Sequence, residues 1–194
     1  MKKVLIVVDM QNDFITGVLG TKEAQAIVPL VAETIKQMAD PNTVVIFTKD
    51  THEVNYLNTL EGKNLPVEHC IKGTAGHSIV DEVFKAYVHV HKNYKAPWDV
   101  YPLTTIDPIR IEKPTFGSIE LQNTLYTMND VEPIEEITLM GIDTSICVLS
   151  NAILCKATLP EVPINVIADC CSSVTPEAHK RALETMKLCQ INII

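Results

Sequence analysis

The 194-residue chain has no surplus of positive charge: 16 lysines and arginines stand against 24 aspartates and glutamates, a formal net charge of −8. A protein that grips nucleic acid or an anionic membrane needs a basic face, so neither nucleic acid nor membrane is expected as a partner. No apolar run is long enough to span a bilayer. The start, MKKVLIVVDMQNDF, carries two lysines and an apolar run, but Asp9 interrupts that run early, so it reads as a strand rather than the core of a secretory signal. Internal repeats and low-complexity tracts are also lacking.

What is there is a globular composition, 46% apolar and 21% charged, consistent with a single domain over 1–194 that buries roughly 70% of its unfolded surface. Six cysteines, at 70, 147, 155, 170, 171 and 189, lie mostly in apolar strand or helix patterns. Without a secretory signal they read as thiols of a reducing cytoplasm rather than a disulfide set.

Strand and helix patterns alternate. Val4–Val8, Thr43–Phe47 and Glu136–Met140 read as buried strands and Ile109–Glu112 and Ile164–Ala168 as further strands, with Asn192–Ile194 closing the sheet. Helices are expected over 27–39, 78–88 and 119–127, from Cys147 toward Ala157, and over 176–188, the last with Thr175 as N-cap and Pro176 at its first position. Pro29 is expected in an early turn of its helix. The polar stretch Lys49–Gly76 is too long for an ordinary connection and is expected to be functional; Asn93–Pro108, with three prolines, reads as loop. Such βαβα alternation implies a parallel sheet covered on both faces, with ligands bound beyond the carboxyl ends of its strands.

The reactive side chains fall on that edge. Asp9 ends the first strand, Asp50 and His52 follow the second, Lys113 the third and Cys147 the fourth. Singly each has an ordinary explanation: a turn-capping aspartate, a solvated loop lysine, a small buried thiol. Together they supply a carboxylate to move protons, a cation to hold two anions side by side and a nucleophile. A thiol in the first turn of a helix also feels the positive end of the helix dipole, which favours the thiolate. Between 50 and 70, Asp50, His52, Glu61 and His69 form a mixed nitrogen and oxygen set that suits zinc, manganese or iron. Asp-x-His puts two of them on one side of an extended segment, and Cys70, beside His69, faces away and reads as packing.

These residues carry a resemblance. VLIVVDMQNDF, TKDTH at 48–52, PVEHCIKGTAG at 66–76, the lysine of IEKPTFGS, GIDTSICV, VIADCCSS at 166–173 and EAHKRAL at 177–183 together resemble the isochorismatase-like cysteine hydrolase superfamily. D-x-H and EHCIKGTAG point within it to the nicotinamidase (pyrazinamidase) branch. The resemblance implies a three-layer α/β/α fold with a mainly parallel, doubly wound sheet of about six strands. It implies Asp9, Lys113 and Cys147 as catalytic residues, and the backbone N–H groups of Asp143 and Cys147 as an oxyanion hole after a cis Ile142–Asp143 bond. It implies Asp50, His52, Glu61 and His69 as ligands of one divalent metal ion, zinc first and manganese or iron as alternatives, with Glu61 replacing a histidine common at that position. Phe14 would stack on the substrate ring. The implied activity is hydrolysis of nicotinamide to nicotinate and ammonia through a thioester on Cys147, in cytoplasmic NAD salvage, and a homo-oligomer is left open. Two departures stand out: Leu65 where a large aromatic usually precedes the proline, and Ile119 where phenylalanine is common. They keep open hydrolysis of another small amide, of carbamoyl or ureido type. An inactive fold that serves as a binding or scaffold protein is a third reading.

Overall fold

Val4–Val8 is an unbroken apolar run, and every one of its side chains is buried, as a strand covered on both faces requires. It forms most of β1 (Lys2–Val8). The structure, a computed structural model, describes residues 1–38, 40–93 and 108–194; the expected loop through Pro97 and Pro102 lies outside them. Parallel pairing joins β1 to β2 (Thr43–Asp50), β3 (Ile109–Lys113), β4 (Ile134–Ile142), β5 (Ile164–Ser172) and β6 (Asn192–Ile193) in one six-stranded sheet of order β3-β2-β1-β4-β5-β6. Between the strands run α1 (Asn12–Ile15), α2 (Lys22–Met38), α3 (Leu60–Asn64), α4 (Asp81–Asn93), α5 (Ile119–Val131), α6 (Leu149–Thr158) and α7 (Pro176–Leu188). Helices cover both sides of the sheet: α2 packs with α4, while α6 packs with α5 and α7. No described helix is long and apolar enough to cross a membrane.

The chain winds outward from β1 through β2 to β3, then returns to lay β4 on the other side of β1. The connections therefore part at the carboxyl ends of β1 and β4, where open α/β sheets hold their ligands. Close packing at that point depends on Gly141. Its φ is +125°, and a Cβ there would run into the carbonyl oxygen of Val8, so a side chain is barred both by conformation and by space.

Local differences from the expected pattern have physical reasons. α2 starts five residues earlier than its apolar spacing suggests, because Thr21 Oγ1 accepts the Ala24 N–H at 2.9 Å and caps it. Pro29 thus lies inside the helix, and both it and Gln25, whose carbonyl loses a helical donor, face solvent. The stretch after β2 is not irregular throughout. It holds a 3-10 turn at Tyr56–Asn58 and the short α3, capped by Thr59, whose Oγ1 accepts the Gly62 N–H at 3.0 Å. Cys147 does not sit in the first turn of an α-helix. It belongs to a π-helical turn, Thr144–Val148, that precedes α6. α7 begins as its sequence indicates, Thr175 Oγ1 accepting the Ala178 N–H at 3.1 Å with Pro176 next. All six cysteines are free.

Candidate active site

Asp9 is the first residue beyond β1 and takes a left-handed backbone, φ 48°. Its Oδ1 accepts the Thr48 hydroxyl at 2.7 Å and its Oδ2 lies 2.6 Å from Lys113 Nζ. Lys113 ends β3 and is only 1% exposed. Its ammonium donates to the Thr115 carbonyl at 3.1 Å and to Cys147 Sγ at 3.6 Å, and reaches Asp50 Oδ1 at 3.7 Å. A lysine with an ordinary reading as a solvated loop charge is thus the hub joining a carboxylate, a thiol and a second carboxylate.

Burial sets the electrostatics. It raises the Asp9 carboxyl, with the Lys113 charge opposing, and it raises the Cys147 thiol well above its ordinary value, with the Asp9 charge adding to the rise and Lys113 opposing it. For Lys113, burial works against the charge, but Asp9, Cys147 and Asp50 outweigh it and hold the ammonium above its ordinary range. The helix-dipole argument for a thiolate meets an opposing effect, since burial disfavours the charged form and pushes the Cys147 thiol up. Lys113 remains charged beside an Asp9 whose affinity for a proton is enhanced.

Two side chains fix the surrounding backbone. Asn151, on α6, donates to the carbonyls of Cys147 (2.8 Å) and Phe116 (3.1 Å) and accepts the Ser118 N–H (3.0 Å), tying the Cys147 turn to the loop after Lys113. Gln11 grips the peptide groups of Asp50 on both sides: Nε2 donates to its carbonyl at 2.8 Å and Oε1 accepts its N–H at 2.7 Å. The neighbouring Asp13 accepts the Cys70 N–H at 2.8 Å, so the residues after Asp9 hold both ends of the 50–70 loop.

Asp50, His52, Glu61 and His69 converge, their ligand atoms all within 4.8 Å of one another, the first two and His69 buried and Glu61 half-buried. Asp50 Oδ2 is 3.0 Å from His52 Nε2 and 3.3 Å from His69 Nε2, and Glu61 Oε1 is 3.5 and 4.0 Å from the same nitrogens. A tetrahedral zinc ion spaces its nitrogen and oxygen ligands about 3.3 Å apart, so the donor set and spacing fit such an ion. His69 Nδ1 is turned to the Val67 carbonyl at 2.8 Å, leaving Nε2 for the cluster. Glu61 is raised by burial and then by the Asp50 charge, a repulsion that a cation between the carboxylates relieves. Sequence reasoning missed Tyr56. It is fully buried, its ring packs against both imidazoles, and its hydroxyl donates to the Leu65 carbonyl at 3.0 Å.

A cavity of about 270 Å³ joins the two groups, lined by Cys147 and Asp143 on one side and by Asp50, Glu61 and His69 on the other. This is the small end of the range for ligand pockets, sized for a compact substrate. Phe14, Leu65, Phe116 and Ile146 are among its lining residues. Ile119, by contrast, is not among the lining residues and is 70% exposed. The aromatic that this loop gives to the cavity is Phe116, three residues before Ile119. The Ile142–Asp143 bond is cis, and the Asp143 N–H finds no hydrogen-bond partner among the described residues.

The family model for the isochorismatase domain matches residues 3–194. The chain belongs to the isochorismatase domain family. A probable inactive nicotinamidase of Arabidopsis thaliana is 25% identical over 190 residues, which cover 94% of this chain and 87% of that protein. Among solved structures, the pyrazinamidase/nicotinamidase from Streptococcus mutans is 26% identical with a TM-score of 0.80, all of each chain being covered. The pyrazinamidase of Pyrococcus horikoshii in complex with zinc is 24% identical with a TM-score of 0.76, over 100% of this chain and 99% of that one; that likeness is one of fold. The six parallel strands with helices on both sides are the isochorismatase-like α/β fold.

Proposed function

We propose that the protein is a metal-dependent amidohydrolase that cleaves nicotinamide to nicotinate and ammonia through a thioester on Cys147. The observation that carries this reading is one cavity onto which Cys147 opens, with Asp9 and Lys113 buried behind it, and onto which Asp50, Glu61 and His69 of the four-residue donor group also open. Asp9 takes the thiol proton as sulfur attacks the amide carbon, the carbonyl electrons moving to oxygen, which the Asp143 and Cys147 N–H groups hold. As the carbon–nitrogen bond breaks, Asp9 passes the proton to nitrogen and ammonia leaves. Water then attacks the thioester while Asp9 takes its proton; the carbon–sulfur bond breaks and the proton returns to sulfur. Lys113 keeps its charge throughout and stabilises the negative charge whether it lies on Asp9 or passes to the sulfur. Asp50, His52, Glu61 and His69 would hold a divalent ion, zinc or else manganese or iron, which supplies a Lewis-acidic anchor for the pyridine nitrogen. Phe14, Leu65 and Phe116 face the ring and exclude water from it.

A second reading, hydrolysis of another small amide, is favoured by Leu65, which presents an aliphatic edge 38% exposed at the cavity wall. The name of the Arabidopsis relative marks that protein as inactive. Here the carboxylate, the ammonium and the thiol are all present and in contact, which supports a working enzyme. The test is ammonia release from nicotinamide, pyrazinamide and a panel of linear amides, with and without added zinc, manganese or iron. Nicotinamide and pyrazinamide should be the best substrates, and only in the metal-loaded enzyme; preference for a linear amide without metal dependence would replace this reading with the second.

A further inference from the structure

The turn that carries Cys147 is fastened by one carboxylate. Asp143 Oδ1 accepts the Ser145 N–H at 2.6 Å, the Ser145 hydroxyl at 2.8 Å and the Ser173 hydroxyl at 2.7 Å, while Oδ2 accepts the Val174 N–H at 2.8 Å. The two serine hydroxyls lie 2.8 Å apart. The Asp143 carbonyl accepts the N–H groups of Ile146 and Val148 at 3.1 and 2.9 Å. Thr144, the next residue, is tied by its hydroxyl to His179 on α7 at 2.9 Å. Every acceptor of Asp143 is engaged in holding the turn, and its one donor, the N–H, is left without a partner among the described residues.

An aspartate that only capped the turn would need the first of these bonds. Two of the others run to Ser173 and Val174, just beyond β5, which wall the same cavity as Asp143 and Cys147. Oxyanion donors act within about 2.7–3.1 Å of the developing charge, and a displacement of about 1 Å is enough to cost about 10²-fold in rate. A carboxylate fork spanning two segments of chain removes the rotation that would produce such a displacement.

We propose that the Asp143 carboxylate, together with Ser145 and Ser173, is a positioning group that fixes the Asp143 and Cys147 N–H groups against the substrate oxygen as it becomes an oxyanion, a role that rests on the hydrolase reading above. It touches no reacting atom through its side chain.

The test compares Asp143→Ala, Asp143→Asn and Ser173→Ala with the wild type in three measurements. Nicotinamide hydrolysis gives kcat and KM. Alkylation of Cys147 by iodoacetamide attacks a saturated carbon and makes no oxyanion, so its rate reports the thiol, Asp9 and Lys113. Affinity for pyridine-3-carbaldehyde reports the donors without turnover, since the sulfur–carbon bond forms while the thiol proton passes to the aldehyde oxygen. In Asp143→Ala, kcat and aldehyde affinity should fall about 10²-fold, while KM and the alkylation rate stay within about threefold. Ser173→Ala should lose about tenfold in kcat, the scale of one hydrogen bond. Asp143→Asn should recover part of the loss, because it keeps the Oδ1 acceptor and fails only toward the Val174 N–H.

Unchanged kcat and aldehyde affinity in folded Asp143→Ala overturn the inference, and so does an alkylation rate that falls in step with kcat, since that marks general disorder. If Asp143→Ala does not fold, Ser173→Ala, which removes one hydroxyl, decides by the same criteria. A wild type that turns over no amide but binds the aldehyde, with the loss seen in the variants, overturns the hydrolase reading and leaves the positioning role standing. A wild type that does neither overturns both.

Discussion

Asp50 and Lys113, the last residues of neighbouring strands β2 and β3, are paired in register, with Asp50 Oδ1 3.7 Å from Lys113 Nζ. The other oxygen of the same carboxylate faces His52 and His69. Among the described residues, the ammonium of Lys113 is thus the side-chain link between the four-residue donor group and the thiol group, its other contacts being Asp9, Thr115 and Cys147.

That separation predicts the effect of metal removal. Chelation should raise KM for nicotinamide by at least about tenfold, the loss of one anchoring contact, and leave iodoacetamide alkylation of Cys147 unchanged. Glu61→Gln should weaken zinc binding, read by titration calorimetry, by about 10-fold to 100-fold. Unchanged zinc affinity would remove Glu61 from the ligand set.

Cys147→Ala should abolish turnover and leave the fold intact. Loss of one buried sulfur costs about 1 kcal/mol, a fall in Tm of about 2–4 °C for a chain of this size. Residual hydrolysis near the wild-type rate would remove the thioester from the mechanism.

The pH dependence follows from Asp9. Burial raises its carboxyl, with Lys113 in partial opposition, and the ionised form is the base. The acid limb of kcat/KM should therefore rise through a pKa above the ordinary aspartate value of about 3.9. For stability the sign is opposite. The folded chain holds this proton more tightly than the unfolded one, so the Asp9 contribution is full below the unfolded pKa and is lost as pH rises through the folded one. A limb at the ordinary carboxylate value, or a pH-independent rate, would show that another group acts as the base.

Phe116→Ala should lower kcat/KM for nicotinamide about tenfold, the worth of one aromatic contact. Ile119→Ala, on an exposed helix start, should change neither kcat/KM nor stability by more than about 0.5 kcal/mol. Equal effects would mean that the loop after Lys113 runs differently.

How much of this was legible in the sequence depended on how far apart in the chain the causes lie. Thr175 and Pro176 mark the start of α7 on their own, and Asp9, Asp50 and Lys113 were legible because they stand at the ends of strand patterns. Phe116 was not. Its place is set by Asn151, on a helix far along the chain, which holds the Phe116 carbonyl and the Ser118 N–H. The burial that opposes a Cys147 thiolate was hidden for a related reason: a helix-start argument is local, whereas burial comes from the whole packed edge. Tyr56, beneath the two imidazoles, carries no local signal for that role.

The grip of Gln11 on Asp50 has a wider consequence. A primary amide offers the same donor and acceptor as a peptide group, so Gln11 adds one rung to the sheet just where β1 has ended. The rung clasps the main chain at position 50 and ignores its side chain. The end of β2 is thus held by Gln11 independently of the Asp50 side chain, so a replacement at 50 should alter the proposed ion site more than the backbone of the chamber around Cys147.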